Sequence, residues 1–272
     1  MVLNILNYNY TLNQPIFKYA LRKAQDSSQA LLDNKRLMVV GGVATQLTMI
    51  DETHLLRPTN DIDFISNRPV AKPERRQWAS YLSKLISDDG LPNKGGLSRY
   101  GGEVRFEGLQ NDLLVHLDCF GPEFYKRHRK RLDAEFERSE VADVNGSNVY
   151  YQHPIDIIVN KVRRMNSLNR NGLEFDSETN LFLSLLKEGV IDGIETERFR
   201  RDIDDIVSER QKNVEDLGRL SYREIFDQVQ GYKVKKDIYD ICGVIDSMRR
   251  CGRTVDRGDF IDSLKLALVD LE

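Results

Sequence analysis

The spacing of apolar positions along the chain changes near residue 150. Before this point, short apolar or alternating runs of strand length predict strands over 37–40, 61–66 and 112–119. Beyond it, apolar residues recur at helical spacing, so helices predominate. The pattern predicts an α+β protein, in which a mixed sheet flanked by helices over 1–150 is followed by a helical domain over 151–272.

Further elements follow from apolar periodicity and from the positions of proline and glycine. A strand is predicted near 100–108 with a bulge at Gly101-Gly102, and the glycines before it mark a turn-rich stretch. The polar stretch 166–176 is interpreted as a linker between helices. Helices are predicted over 14–34, 42–50, 72–88, 154–167, 178–187, 195–210, 222–229, 235–249 and 259–271.

Composition limits the function classes only loosely. The chain of 272 residues has a net charge of −3 and 31% charged residues, which neither requires nor excludes a nucleic-acid partner. Its 3 cysteines are too few and too scattered for a disulfide framework or a cysteine-type zinc site. The N-terminus lacks a basic leader before an apolar segment, and no stretch approaches the ~18 apolar residues of a membrane span. We therefore expect a cytoplasmic protein with no membrane partner.

Two short motifs in the first half carry most of the chemical information. Gly41-Gly42 follows the apolar run 37–40, and the absence of side chains there lets backbone N–H groups approach a polyanion closely. Asp61 and Asp63 are two residues apart on a predicted strand, so their carboxylates point to one face. Because such a pair repels itself unless a cation compensates it, the motif predicts a site for Mg²⁺ or Mn²⁺ together with substrate phosphates.

A third carboxylate, that of Asp118, ends another predicted strand. With three carboxylates a two-metal arrangement becomes feasible, in which one ion activates the attacking oxygen and the other neutralises the leaving pyrophosphate. The alternative for Asp118 is an ordinary turn residue or helix cap. His116 faces the same side of the strand, and both a functional role and a structural, hydrogen-bonded role fit it.

The order of these motifs resembles a known family. Gly41-Gly42, then Arg57-x-Thr59-x-Asp61-Ile62-Asp63-Phe64, then His116-Leu117-Asp118, is similar to the DNA polymerase β-like nucleotidyltransferase superfamily, and more closely to its AbiEii-type toxin branch. In that branch a helix bearing a Lys follows, and later a helix with a basic residue before Asp-x-x-Asp. Here these correspond to Lys161 and to Arg201-Asp202-x-x-Asp205, so the resemblance extends over about 36–207.

The resemblance implies roles for individual residues. Asp61, Asp63 and Asp118 would bind the metal ions, and Lys161 would act with them in catalysis. The implied nucleotide contacts come from Gly41, Gly42, Arg57, Thr59 and Asp202. Arg57 would hold phosphate oxygens in a bidentate fork, while Thr59 would fix its loop by hydrogen bonding. The alternatives are a surface turn for Arg57, a snorkelling helix residue for Lys161, and an exposed ion pair with Arg198 for Asp202.

The function implied is a nucleotidyltransferase that moves an NMP from an NTP substrate to an acceptor hydroxyl with release of pyrophosphate. The toxin branch further implies tRNA or a protein as the acceptor and a cognate antitoxin as a partner. Two alternatives stay open from the residues themselves. One is a small-molecule nucleotidyltransferase of the antibiotic-modifying kind, and the other is a non-catalytic module that binds nucleotides for regulation.

The run 125–131 is the most basic segment of the chain. Such a run is usually a solvated face or a loop flanking the sheet. Beside a nucleotide site it also fits an RNA backbone, with Phe124 and Tyr125 available to stack a base.

Overall fold

The structure is a computed structural model that describes residues 11–31, 37–49, 56, 59, 61–98, 101–107, 113–118, 122–200 and 222–269. The chain divides into two compact units, one over Asn7–His153 and the other over Pro154–Glu272. The first contains the sheet and the second is helical. The predicted fold class, a mixed sheet flanked by helices and followed by C-terminal helices, is confirmed.

Within the described part of the first unit, seven strands form one mixed sheet in the order β3-β4-β5-β2-β1-β7-β6. β2 runs parallel to β5 and antiparallel to β1, so the predicted acidic strands are neighbours at the centre of the sheet. β7 joins the other side of β1 in parallel. The strands are β1 (Leu37–Val40), β2 (Asp61–Ser66), β3 (Asn93–Leu97), β4 (Gly101–Phe106), β5 (Leu113–Asp118), β6 (Glu140–Val144) and β7 (Ser147–Tyr151).

Four helices of the described residues belong to this unit: α1 (Pro15–Leu31), α2 (Gly41–Thr48), α3 (Lys72–Asp88) and α4 (Pro122–Arg138). α1 and α3 cover one face of the sheet, where Tyr19 of α1 meets Phe106 edge-on and Trp78 of α3 lies against Gly102. The central strands bury their side chains on this face completely, among them Phe64 and Val115. α4 packs on the opposite face against Met38 and Ile65 through its own apolar stripe, formed by Tyr125, Leu132 and Phe136.

Several local predictions are confirmed. The strand predicted over 61–66 and the helix predicted over 72–88 have the observed bounds, Asp61–Ser66 and Lys72–Asp88. The strand predicted over 112–119 is Leu113–Asp118, with the expected alternation of buried and half-buried residues. Alternation is clear here because one face of the strand packs against helices while the other carries polar groups.

The glycine-rich region differs from its prediction. Gly101 and Gly102 pair in register with Asp118 and Leu117 of β5, so the predicted bulge at this position is wrong. The stretch expected to be turn-rich contains strand β3. Gly95 of β3 has no room for a side chain, since a Cβ there would lie 2.7 Å from the carbonyl oxygen of Ala79 in α3. These glycines permit close approach of backbone to neighbouring elements, which strand propensity alone does not reveal.

Three further elements of the first unit have no counterpart among the predictions. Strands β6 and β7 form a hairpin with left-handed residues Asn145 and Gly146 at its turn. The basic run 125–131 lies within helix α4 rather than in a loop. The apolar stripe of this helix is hard to recognise in the sequence, because charged residues separate its members. Tyr125 and Leu132 are two helical turns apart, and Leu132 and Phe136 are one turn apart.

The described part of the second unit contains five helices: α5 (Pro154–Arg170), α6 (Ser177–Lys187), α7 (Thr196–Phe199), α8 (Tyr222–Arg250) and α9 (Arg257–Val269). α5 packs against both α8 and α9. The two helices predicted over 222–229 and 235–249 are one continuous helix, and residues 166–170 of the predicted linker belong to α5. The helix predicted over 195–210 ends at Phe199 in α7, and its part beyond residue 200 lies outside the described residues.

α7 and the residues on both sides of it are held to α8 by polar contacts. Thr196 Oγ1 donates to Asp246 Oδ1 at 2.6 Å, and Arg200 forms an ion pair with the same carboxylate. Arg249 donates to the carbonyl oxygens of Ile191 and Ile194. In the described part of the chain, no helix has both the length and the apolar composition needed to cross a bilayer.

Candidate metal and phosphate site

The site is built by two parallel neighbouring strands, β2 and β5. Their register places Asp63 opposite His116 and Ile65 opposite Asp118. Side chains on a strand alternate between faces, so Asp61 and Asp63 share one face of β2, and His116 and Asp118 share the same face of β5. The intervening residues Ile62 and Leu117 are fully buried on the other face. Burial of the apolar residues therefore forces the polar ones together.

Three side chains converge on this face. His116 Nδ1 lies 3.0 Å from Asp118 Oδ1 and 4.0 Å from Asp63 Oδ1. One ligand atom from each of the three residues can be chosen such that all lie within 4.8 Å of one another. The carboxylates are each 30% exposed and the imidazole 15%, so the group is reachable from solvent although it is partly enclosed.

The imidazole is held between acidic groups. Burial disfavours its charged form, but the hydrogen bond to Asp118 and the negative charges of Asp118, Asp63 and Glu103 outweigh burial and raise the pKa of His116 above its ordinary value. Glu103 contributes because β4 places it directly opposite His116. The same negative field that favours a proton on the ring also attracts a metal cation.

The first predicted phosphate motif lies beside this group. Gly41 follows β1 with φ +69°, in the left-handed region that favours glycine. A Cβ at Gly41 would lie 3.6 Å from Asp63 Oδ2, so this backbone approaches the acidic cluster closely. Val40, the preceding residue, pairs with Asp63 in the β1–β2 ladder. Gly41 and Gly42 form the first positions of α2, where backbone N–H groups have no partner within the helix.

Asp61 has a fixed orientation at the start of β2. The buried Thr59 donates from Oγ1 to Asp61 Oδ1 at 2.6 Å, which agrees with the predicted loop-ordering role of Thr59. Arg57 lies outside the described residues, and its predicted phosphate contact stays a prediction. Asp61 does not belong to the convergent trio found in the described part of the chain, and its role as a metal ligand also stays a prediction.

Lys161 lies in the helical unit, where α5 meets α8. Its Nζ donates to Asp240 Oδ2 at 2.6 Å and to Asp237 Oδ1 at 3.4 Å, and all three side chains are buried. Arg164, one turn along α5, donates to Asp237 from Nε at 2.7 Å. The predicted partner Asp202 lies outside the described residues, so its role and the catalytic role of Lys161 stay predictions.

Asp237 and Asp240 were missed as partners of Lys161, although the sequence contains a signal for them. A basic residue before Asp-x-x-Asp occurs at Lys236-Asp237-x-x-Asp240 as well as at Arg201-Asp202. The i, i+3 spacing places both carboxylates on one side of α8, and the apolar residues around them face the core. His116 was likewise not assigned as a ligand, although it shares the two-residue period of Asp118.

The donor set fits a divalent cation. Carboxylate oxygens suit Mg²⁺ and Mn²⁺, and an imidazole nitrogen suits first-row transition metals. Asp63 and Asp118 supply the oxygens and His116 the nitrogen, all within reach of one ion. The residues present on these two strands therefore match a metal site beside a backbone segment that is open to phosphate.

Fold and site together describe a mixed-sheet protein with an acidic and imidazole cluster at the centre of one sheet face. No protein-family model matches the sequence, and no curated protein matches it. Among solved structures, the chain is similar to an antigenic nucleotidyltransferase-like protein from Paracoccidioides brasiliensis, with 19% identity and a TM-score of 0.39. The match covers 57% of this chain and 67% of that chain.

Proposed function

We propose that this protein is a metal-dependent nucleotidyltransferase that moves an NMP from an NTP to an acceptor hydroxyl. The observation that carries the proposal is the convergence of Asp63, His116 and Asp118 on one sheet face, next to the left-handed Gly41. Nucleotide transfer requires a cation held by carboxylates and a backbone cradle for phosphate at the same place. Both requirements match this part of the first unit.

A divalent cation bound at this cluster, Mg²⁺ or Mn²⁺, would neutralise charge on the triphosphate and the leaving pyrophosphate. Asp63 and Asp118 would hold it, with Asp61 as the further predicted ligand. Asp118 would complete the metal site or receive the proton of the attacking hydroxyl.

The protein's remaining contribution is to position the substrate. Gly41 and Gly42 offer backbone N–H groups to phosphate oxygens at the start of α2. Arg57 and Lys161 are proposed to supply positive charge to the triphosphate, and Asp202 to contact the nucleotide. Thr59 holds Asp61 in one orientation through the 2.6 Å hydrogen bond. Positioning of this kind accounts for much of the rate in phosphate transfer, since little covalent chemistry falls to the protein.

For the acceptor, we propose tRNA or a protein hydroxyl, in an AbiEii-type toxin that is controlled by a cognate antitoxin. Support for a polyanionic acceptor comes from α4, which packs against Ile65, two residues along β2 from Asp63 on the same face. The outer face of α4 exposes Lys126, Arg127, Arg129 and Lys130. Lys126 and Arg129 also line a cavity of about 540 Å³ together with Arg68. Tyr125 is buried and donates to Ser66 O at 3.1 Å, so the charges and not this ring would contact RNA.

The two alternatives make different demands on the same site. A small-molecule nucleotidyltransferase would use the same carboxylates but would not need the basic face of α4 for activity. A non-catalytic binding module would bind NTP without transferring a nucleotide. The acceptor assay and the comparison with an inactive variant separate all three.

The direct test incubates purified protein with each of the four α-labelled NTPs in the presence of Mg²⁺ or Mn²⁺. The acceptors are total tRNA, a cell protein extract and a panel of aminoglycosides, each resolved separately. We expect label in tRNA or protein, and loss of that label in Asp63→Asn. The matched control is Asp262→Asn, which removes an exposed carboxylate of α9 whose side chain is 75% exposed.

Three results would contradict parts of the proposal. Label found only on an aminoglycoside would exclude the tRNA and protein acceptors. Undiminished transfer by Asp63→Asn would exclude the proposed site. NTP binding without transfer to any acceptor would favour the regulatory module. The toxin role is tested by growth after induction, where wild type should arrest growth and Asp63→Asn should not.

A further inference from the structure

The imidazole of His116 has its two nitrogens in different surroundings. Nδ1 faces the carboxylates, at 3.0 Å from Asp118 Oδ1 and 4.0 Å from Asp63 Oδ1. Nε2 faces away from them and lies 2.9 Å from Ser98 Oγ. The ring is therefore oriented so that one nitrogen belongs to the acidic cluster while the other is anchored outside it.

Ser98 can accept a hydrogen bond from Nε2 when that nitrogen carries the ring hydrogen, since the direction of the 2.9 Å contact depends on the tautomer. Its Oγ already accepts from the backbone N–H of Gly101 at 2.9 Å, and its own hydrogen has an acceptor in Gly101 O at 3.4 Å. With the ring hydrogen on Nε2 and donated to Ser98, Nδ1 presents a lone pair to the acidic cluster, where a cation would take the place of the proton that Nδ1 shares with Asp118 at 3.0 Å. Metal-bound histidines almost always have such an anchoring partner on the other nitrogen.

Gly101 provides the space that this arrangement needs. A Cβ at residue 101 would lie 3.1 Å from His116 Nε2 and 1.9 Å from the carbonyl oxygen of Leu117. The glycine therefore allows β4 to approach β5 closely and leaves the ring its position against Ser98. The ring of His116, its partner Ser98 and strand β5 are therefore preorganised within the first unit.

We infer that His116 is a metal ligand through Nδ1, that Ser98 positions it, and that this nitrogen makes the site prefer a transition cation such as Mn²⁺ over Mg²⁺. The inference rests on the proposed function, whose carboxylate ligands it extends. A site of oxygen ligands alone suits Mg²⁺, which takes hard oxygen donors. Replacing one oxygen by an imidazole nitrogen shifts the preference toward first-row transition metals, since their affinity for nitrogen donors is higher.

The first measurement is the affinity of the full-length protein for Mn²⁺ and for Mg²⁺, by titration calorimetry with the chloride salts. It is made both without nucleotide and with a non-hydrolysable NTP analogue. We expect wild type to bind Mn²⁺ at least about tenfold more tightly than Mg²⁺. His116→Asn offers an amide oxygen near the position of Nδ1, so it should lose about tenfold or more of the Mn²⁺ affinity and little of the Mg²⁺ affinity.

The second measurement is spectroscopic and reports the ligand directly. Pulsed electron paramagnetic resonance of bound Mn²⁺ should show the modulation of a coordinated ¹⁴N nucleus in wild type and should lose it in His116→Asn. Ser98→Ala should keep the nitrogen signal but weaken Mn²⁺ binding, because the ring has lost its anchor. The matched control is His153→Asn, which removes a half-buried histidine of the same unit that pairs with Glu140 at 3.6 Å.

The outcomes separate this inference from the proposed function. Mn²⁺ binding that depends on Asp63 but shows no nitrogen modulation, with an unchanged Mn²⁺ to Mg²⁺ ratio in His116→Asn, would overturn the ligand assignment. The proposed transferase with oxygen ligands alone would survive that result. Absence of any metal binding that depends on Asp63, with or without nucleotide, would overturn both. Circular dichroism of each variant shows whether the fold is intact.

Discussion

Lys161 provides the sharpest test of the helical unit, because its charge is buried against two carboxylates. Its side chain is 7% exposed, while those of Asp237 and Asp240 are 0% and 1% exposed. Lys161→Met keeps most of the aliphatic stem and removes only the charged end, so Asp240 loses its Nζ partner at 2.6 Å. Removing one partner of a buried ion pair costs about 3–5 kcal/mol, and we expect a loss of this size.

Cys242 allows that loss to be measured within the same unit. It is fully buried on α8, two residues after Asp240, whereas Cys251 beyond the end of α8 is exposed. Alkylation of Cys242 under native conditions then requires an opening of the unit, and its rate reports the free energy of that opening. A loss of 3–5 kcal/mol raises the rate roughly 100- to 4,000-fold, which peptide mass spectrometry after timed quenching can resolve.

A matched control fixes the interpretation. Lys265 forms an ion pair with Asp262 at 3.3 Å, but both side chains are more than 70% exposed, at 72% and 75%. Lys265→Met should therefore change stability by less than about 1 kcal/mol, since exposed pairs contribute little. A Cys242 alkylation rate in Lys161→Met within threefold of wild type would refute the buried-pair reasoning. Equal effects from both lysine variants would refute it as well.

Three further predictions concern the site and the cysteines. Gly101→Ala should destabilise the first unit by more than about 2 kcal/mol and abolish Mn²⁺ binding, because its Cβ would lie 1.9 Å from the carbonyl oxygen of Leu117. The control Gly96→Ala, where a Cβ meets open space, should cost less than about 1 kcal/mol. Urea unfolding measures both costs. Thr59→Val should lower nucleotide transfer and cost about 1–2 kcal/mol, since it leaves a carboxylate without its hydroxyl donor, while Thr59→Ser should restore both. In native wild type at pH 8, Cys251 should react with iodoacetamide well before Cys242, because burial raises the pKa of Cys242 to about 12; similar rates for the two thiols would contradict this.

For the candidate site, the sequence predicts only which residues of the same strand share a face. Asp61 and Asp63 lie on one face because strand side chains alternate, and this holds for any strand that contains them. The same alternation places His116 with Asp118. What surrounds each nitrogen of His116 depends on separate segments of the chain, and Ser98 lies 2.9 Å from Nε2. No local pattern indicates that a serine just beyond β3 will meet a histidine on β5.

Lys161 illustrates the same limit in the helical unit. The pattern of a basic residue before Asp-x-x-Asp occurs twice, at Arg201 and at Lys236. Both copies have the same helical spacing, so the pattern alone cannot tell which helix packs against α5. The contact between α5 and α8 brings Asp237 and Asp240 to Lys161. The partner of a charged residue is thus a property of helix packing and not of helix periodicity.

The sequence by itself determined the elements and the faces of their polar residues, because the periods of two and 3.6 residues are local. It thereby determined that Asp63 and Asp118 each lie at a half-buried position of a largely apolar strand. Only the tertiary structure decided that β5 lies beside β2 with Asp63 opposite His116. Register must be correct for this, since a slip of one residue would turn the polar set of one strand to the opposite face. The cluster of Asp63, His116 and Asp118 therefore comes from strand order and register, which bury the apolar face of the central strands against helices and leave their polar positions together on the other face.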